Sequence, residues 1–294
     1  MVDVAILGTG RMGAAMARRV AAAGHDLTMW NRTESSARTV LGSLPAGSAR
    51  VAATAADAVA GRSVVLSMLA DGAATREVLL DRSVLAALDS GAVVCDLATS
   101  GVATARALHS GLAQAAIGFV DAPVSGSVPA VNAGTLLVMA SGAADAIAAV
   151  EPVLLAFARK VLRVGDAGAG QAMKLAVNLV VHVLNAAISE ALILAERAGI
   201  PRDRAYDVLQ DSVVAAPFVA YKRAAFLDPD TPVAMSLDLV LKDLRLITEF
   251  AAELAVGASV TEAVRAAVAA ACAAGSGPQD MAALSRFATT RPAS

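Results

Sequence analysis

The chain is poor in aromatic side chains, in cysteine and in surplus charge, and each shortage narrows what it can be. One Trp, two Tyr and six Phe amount to 3% of 294 residues, whereas 57% are hydrophobic, much of that alanine. Small aliphatic side chains suit closely packed helices better than an aromatic-rich β-sandwich. The two cysteines, Cys95 and Cys272, lie far apart without paired spacing. They supply neither a metal nor a redox motif and fit a reducing cytoplasm. The formal net charge is −2 with no polybasic run, so nucleic acid is not an expected partner. The opening VDVAILG lacks the basic n-region of a secretory signal. The most apolar segment, MKLAVNLVVHVLNAAISEALILAERAGI, is interrupted by Lys174, Asn178, His182, Asn185 and Glu190. It reads as a buried helix of a soluble protein and not as a membrane span, so no membrane partner is expected.

What is present falls into two textures. From Val4 to about Gly165, β-branched runs (VAILG, DLTMWN, SVVLSML, AVVCDLA, GFVDAPVS, TLLVMASG, KVLRVG) alternate with alanine-rich helical stretches. That alternation predicts an α/β Rossmann domain over residues 1–165, doubly wound around a mostly parallel sheet. From Asp166 onward helical periodicity takes over, through Met173 to Arg197, LDLVLKDLRLITEFAAEL and SVTEAVRAAVAAACAAG. Residues 166–294 are therefore expected to form an all-α C-terminal domain, with the turn-rich GDAGAG at the boundary.

The first motif is GTGRMG, formed by Gly8, Thr9, Gly10, Arg11, Met12 and Gly13, which follows a strand and opens a helix. In that context the glycines permit a tight turn, close approach of a pyrophosphate and close helix packing, with the phosphates at the helix N-terminus. The second strand ends in MWNRT, where an NAD site would carry a carboxylate for the ribose hydroxyls. Arg32, flanked by Asn31 and Thr33, offers instead a fork and two polar partners for a 2′-phosphate, unless it is simply solvated. NADP(H) is the expected cofactor, with NAD(H) the alternative.

A second stretch, DAPVSGSVPAVNAGTL, is built of small residues, carries hydroxyls at Ser125 and Ser127, and has no charge after Asp121. Farther on, Lys174 and Asn178 stand four apart on one helix and share a face. A lysine in so apolar a helix is costly unless it has a task or a partner. His182 continues the same stripe.

ILGTGRMGAAMARRV, DAPVSGSVPAVNAGTL, GAGQAMKLAVNL and LKDL, in this order and spacing, resemble the β-hydroxyacid dehydrogenase family, and the resemblance covers essentially the whole chain. Members include 3-hydroxyisobutyrate dehydrogenase, tartronate semialdehyde reductase and the glyoxylate/succinic semialdehyde reductases. The resemblance implies a Rossmann domain followed by a helical domain, an active site between them, and interconversion of a small hydroxy acid and its oxo acid or semialdehyde. It implies that Ser125, Gly126 and Ser127 hold the carboxylate of a small substrate, and that Lys174 is the general acid/base, with Asn178 orienting it. It implies further that Lys242 reaches cofactor or substrate while Asp243 is structural, and that Met68, Leu69 and Thr99 contact the cofactor. No metal is implied, and a homodimer or homotetramer through the helical domains is. The chain departs from the family form at Ser127, Ala70 and Ala98. His182 stands where the family has an apolar residue and is expected to be a satisfied core histidine. Tyr221 and Lys222 in PFVAYKR are a candidate pocket wall. The alternatives are an imine reductase of the same fold and a catalytically silent dinucleotide-binding scaffold.

Overall fold

The computed structural model describes residues 1–287; residues 288–294, the end of the expected second domain, lie outside the described residues. Two compact units divide the chain, Met1–Lys174 and Leu175 onward.

The first unit is built on a sheet of β1 (Asp3–Leu7), β2 (Asp26–Trp30), β3 (Ala49–Val51), β4 (Val64–Ser67), β5 (Val93–Asp96), β6 (Gly118–Asp121), β7 (Val124–Ser125), β8 (Leu136–Gly142) and β9 (Ala158–Gly165). Their order is β3-β2-β1-β4-β5-β6-β8-β7, with β9 also paired to β8. From β3 to β6 every pairing is parallel, and β9 runs parallel to β8. β8 runs antiparallel to β6 and β7. The sheet is thus mostly parallel and doubly wound, as expected. Its inner strands β1, β4 and β5 read as near-continuous apolar runs because both of their faces are covered. In β1, for example, Val4 and Ile6 enter one core cluster while Ala5 and Leu7 enter the other. The order reverses at β1, which has β2 on one side and β4 on the other, and a doubly wound sheet opens its ligand crevice at such a point.

Two details differ from the sequence reading. GFVDAPVS is expected as one strand, but Ala122 and Pro123 interrupt it, leaving β6 and the two-residue β7. Pro123 has no N–H to give to a ladder, so the regular pairing breaks there. β3 is not expected at all: it is three residues long, incompletely buried and lies at the sheet edge, too short for any alternation to register.

The described part of the second unit contains helices and no strands. The helix Ala169–Arg197 continues into it, followed by Arg202–Asp211, Pro217–Leu227, Leu237–Glu253 and Ser259–Ala271. Leu237–Glu253 shows why these segments coil. Leu237, Val240, Leu244 and Ile247 recur at helical spacing and are buried, and Ser236 caps the N-terminus by accepting from Leu239 N. A core of Ile188, Leu192, Tyr206, Val219 and Phe226 gathers the first three of these helices, and Tyr206 donates its hydroxyl to Val219 O at 2.8 Å. By length and composition Ala169–Arg197 could cross a bilayer. Its polar side chains are nevertheless used inside the protein: Asn185 Nδ2 donates to Met281 O at 3.0 Å, and Asn178 bonds a carboxylate described below.

Candidate active site

The glycine-rich turn occupies the crevice end of β1. Gly8 has φ +100°, and a Cβ there would lie 2.4 Å from Met68 O, so no other residue fits. At Gly13 a Cβ would lie 2.0 Å from Gly8 O, which explains how the helix Arg11–Ala22 closes onto the strand. Around the Cβ direction of Gly10, by contrast, there is nothing within 4 Å. Gly10 is also the N-cap of that helix, which has no side-chain cap and no acidic residue in its first turn. An uncapped helix start, an open approach at Gly10 and the positive end of a helix are what a pyrophosphate requires, so these residues fit a dinucleotide.

The other expected cofactor residues gather at neighbouring strand ends. Met68 and Leu69 follow β4 and are half-buried, and Leu69 lies beside Gly8. Thr99 follows β5 and is half-buried. Asn31 is committed to the turn itself: its Oδ1 accepts from Thr9 N at 3.0 Å and its Nδ2 donates to Thr33 O at 2.9 Å. Asn31 therefore locks the two strand ends together before any ligand arrives. Arg32 and Thr33 are exposed, and Arg32 has no hydrogen-bond or ion-pair partner among the described residues.

Ser125, Gly126 and Ser127 form the turn after β7. Gly126 has φ +129°, which strains any side chain. Ser127 is the N-cap of the short helix Val128–Asn132, yet its side chain makes no capping bond. Both hydroxyls are half-buried and without an internal partner among the described residues, so they keep their donors for something else.

Lys174 is half-buried and lies five residues into the helix that starts at Ala169. One turn on, Asn178 is 6% exposed and donates Nδ2 to Asp243 Oδ2 at 2.7 Å. Lys242 Nζ lies 3.1 Å from the other oxygen of Asp243, so the KD pair is joined to Asn178. His182 Nε2 approaches Asp243 Oδ2 at 3.5 Å. His182 is buried, as expected, but not satisfied: neither ring nitrogen has a hydrogen-bond partner. Its ring is too far from Asp243 to bond, and Asn178 already occupies the oxygen it faces.

Lys222 is not a pocket wall. It is 1% exposed and bonds both oxygens of Asp280, at 2.7 and 2.8 Å, while Tyr221 is exposed. Burial lowers the Lys222 ammonium, partly offset by that carboxylate. Burial alone would raise the Asp280 carboxyl, but Lys222 and the N–H groups of Ala282 and Ala234 hold it below its ordinary value. This pair organises the helical unit.

The first unit also holds a buried polar cluster that the sequence does not announce. Asp96 accepts from Ser67 Oγ at 2.6 Å and Ser100 Oγ at 2.7 Å. Asp121 Oδ2 accepts from Gln171 N at 2.9 Å and from Ser141 Oγ at 3.0 Å. Burial, opposed by the Gln171 bond and reinforced by Asp96, raises the Asp121 carboxyl to about 6. Cys95 is fully buried, and burial with the Asp96 and Asp121 charges pushes its thiol well up, which makes it inert. The available signal was a carboxylate closing each of two apolar runs, VVCD and GFVD.

Comparison with known proteins bears on both units. Residues 3–165 match the family model described as the NAD binding domain of 6-phosphogluconate dehydrogenase. Residues 168–288 match that described as NAD-binding of NADP-dependent 3-hydroxyisobutyrate dehydrogenase. A probable 3-hydroxyisobutyrate dehydrogenase of Mycobacterium tuberculosis is 36% identical over 209 residues, which cover 71% of this chain and 69% of the relative. The NAD-dependent L-serine dehydrogenase of Pseudomonas aeruginosa is 30% identical over 259 residues, covering 85% of this chain and 86% of the relative. Among solved structures, the Mycobacterium tuberculosis 3-hydroxyisobutyrate dehydrogenase with L-serine has a TM-score of 0.85 at 30% identity, covering 97% of this chain and 98% of the other.

Proposed function

The chain belongs to the β-hydroxyacid dehydrogenase family, and on that premise we propose that it interconverts a small hydroxy acid and its semialdehyde or oxo acid with NADP(H), using Lys174 as general acid and base. The observation that carries the reading is that Lys174 stands one helical turn before an Asn178 whose amide Asp243 holds in place.

When bound, the nicotinamide exchanges a hydride with the substrate's carbinol or carbonyl carbon. Lys174 answers for the oxygen. In reduction its ammonium stabilises the negative charge that develops there and gives up a proton; in oxidation the neutral amine takes the hydroxyl proton away. Asn178 orients the lysine and the substrate, and Asp243 fixes the amide of Asn178 so that this orientation is set before binding. Ser125 and Ser127 donate their uncommitted hydroxyls to the substrate carboxylate, and the bare backbone at Gly126 lets it come close. Gly8 to Gly13 hold the pyrophosphate, with Met68, Leu69 and Thr99 beside it. Arg32 pairs with the 2′-phosphate, which is the support for NADP(H) over NAD(H); the NAD-dependent serine dehydrogenase relative makes this the point to test first. Lys242, held by Asp243, contributes positive charge toward cofactor or substrate.

The test is cofactor consumption with glyoxylate, succinic semialdehyde, tartronate semialdehyde, methylmalonate semialdehyde and a cyclic imine, with NADPH and NADH in parallel. Turnover of at least one oxo acid or semialdehyde is expected. Turnover of the imine alone would overturn the reading in favour of an imine reductase.

A further inference from the structure

The buried cluster around Asp121 and Gln171 joins three segments that the proposed reaction needs in register. Gln171 is fully buried in the first turn of the Lys174 helix. Its Nε2 donates to Ala98 O at 2.8 Å, and its Oε1 accepts from Ser100 N and Gly101 N, each at 3.1 Å. One side chain thus holds the backbone on both sides of Thr99. Its own N–H is bonded to Asp121 Oδ2, on the strand that leads into Ser125–Ser127. The neighbouring Gly170 N donates to Ser141 Oγ at 3.0 Å, and Ser141 Oγ in turn lies 3.0 Å from Asp121 Oδ2. A Cβ at Gly170 would stand 2.7 Å from Asp121 O and Met139 O, so the helix start is pressed directly onto the sheet.

We propose that Gln171 and Asp121 are positioning residues: together they clamp the start of the Lys174 helix to the Thr99 loop and to the strand that presents Ser125. Two orphan N–H groups of the helix start are capped by Asp121 and Ser141, which are themselves fixed in the sheet. The amide of Gln171 replaces the turn hydrogen bonds that the Ala98–Gly101 backbone would otherwise lack in a buried setting. An apolar residue at 171 would leave Ser100 N and Gly101 N buried without acceptors, and both the loop and the helix start would have to move. Lys174 lies three residues beyond Gln171, less than one helical turn, so its ammonium inherits any such shift.

This inference rests on the proposed role of Lys174, and its test separates the two. Gln171→Met keeps the length and shape of the side chain and removes its hydrogen bonds. In the full-length protein without cofactor, amide hydrogen exchange should speed up together in residues 98–101 and in 169–174. With the semialdehyde that the wild type reduces fastest among the panel above, kcat should fall at least roughly tenfold while KM for NADPH changes less than about threefold, as expected for a displaced rather than a removed catalytic group. Gln171→Glu, which keeps the acceptor, should recover part of the loss. Faster exchange in 169–174 with residues 98–101 unchanged, or a kcat that falls only with the folded fraction, would overturn the clamp. Should Gln171→Met not fold, Gln171→Asn, one methylene too short to keep both loop contacts, decides by the same two readouts. A wild type that turns over none of the panel would overturn the oxidoreductase reading instead, and exchange alone would then decide the clamp.

Discussion

Asn178 and Asp243 face each other in the helical unit, the amide donating to the carboxylate at 2.7 Å with both side chains almost wholly buried. Lys242 and His182 approach the same carboxylate, at 3.1 and 3.5 Å. Asp243 is therefore the residue that gathers Asn178, Lys242 and His182 within the helical unit. Asp243→Ala leaves the Asn178 amide without its acceptor inside the protein, a loss of about 1–3 kcal/mol. Urea unfolding at neutral pH measures it, and an unchanged midpoint would show that Asn178 finds another partner.

Arg32 should matter to one cofactor and not the other. If Arg32 pairs with the 2′-phosphate as proposed, a neutral side chain in its place removes a charge-assisted bond, so NADPH should weaken by about 1.5–3 kcal/mol and NADH scarcely at all. Fluorescence titration of both cofactors against Arg32→Ala checks this. Equal losses would mean that Arg32 does not read the phosphate.

The pH dependence of stability has a definite sign at Asp121. Burial raises its carboxyl to about 6, so the folded protein holds that proton more tightly than the unfolded chain does. Its contribution is most favourable below the ordinary carboxylate range and is lost as pH rises through 6. Measured by urea unfolding, the stability of the wild type relative to Asp121→Asn should improve between pH 7.5 and pH 5. A difference that stays flat over that interval would contradict the shift.

The long helix predicts assembly. Val180 is 62% exposed and Leu194 73% exposed, about four turns apart on one side of Ala169–Arg197. Apolar side chains spaced in this way favour burial against a second copy, so light scattering at micromolar concentration should give at least a dimer. A monomer would count against it.

The legible and illegible parts of this protein differ in physical kind. GTGRMG was readable because backbone geometry restricts the residue type: only glycine tolerates φ +100° at Gly8 and the contact at Gly13. The strands β1, β4 and β5 announce themselves as near-continuous apolar runs, since a strand covered on both faces has little polar side. β3 and the break at Ala122–Pro123 did not, the first for brevity and the second because Pro123 sits inside an otherwise strand-like run. Lys174 and Asn178 were visible as polar interruptions of an apolar helix. Their surroundings were not: the link from Asn178 to Asp243 spans 65 residues and that from Gln171 to Ala98 spans 73, and no local pattern encodes such partners. Lys222 shows the converse, a polar residue in an apolar helix whose partner Asp280 makes it structural.

Lys174 is central to the proposed chemistry, and the most direct measurement compares turnover and cofactor binding in Lys174→Ala. Its ammonium is assigned to the reacting oxygen, whereas the dinucleotide is assigned to Gly8 through Gly13 and Arg32. The variant should bind NADPH with near wild-type affinity and lose at least roughly a hundredfold in kcat, within the range of a general acid, with Asn178→Ala losing less. Near-normal turnover of the wild-type substrate by Lys174→Ala would contradict the account.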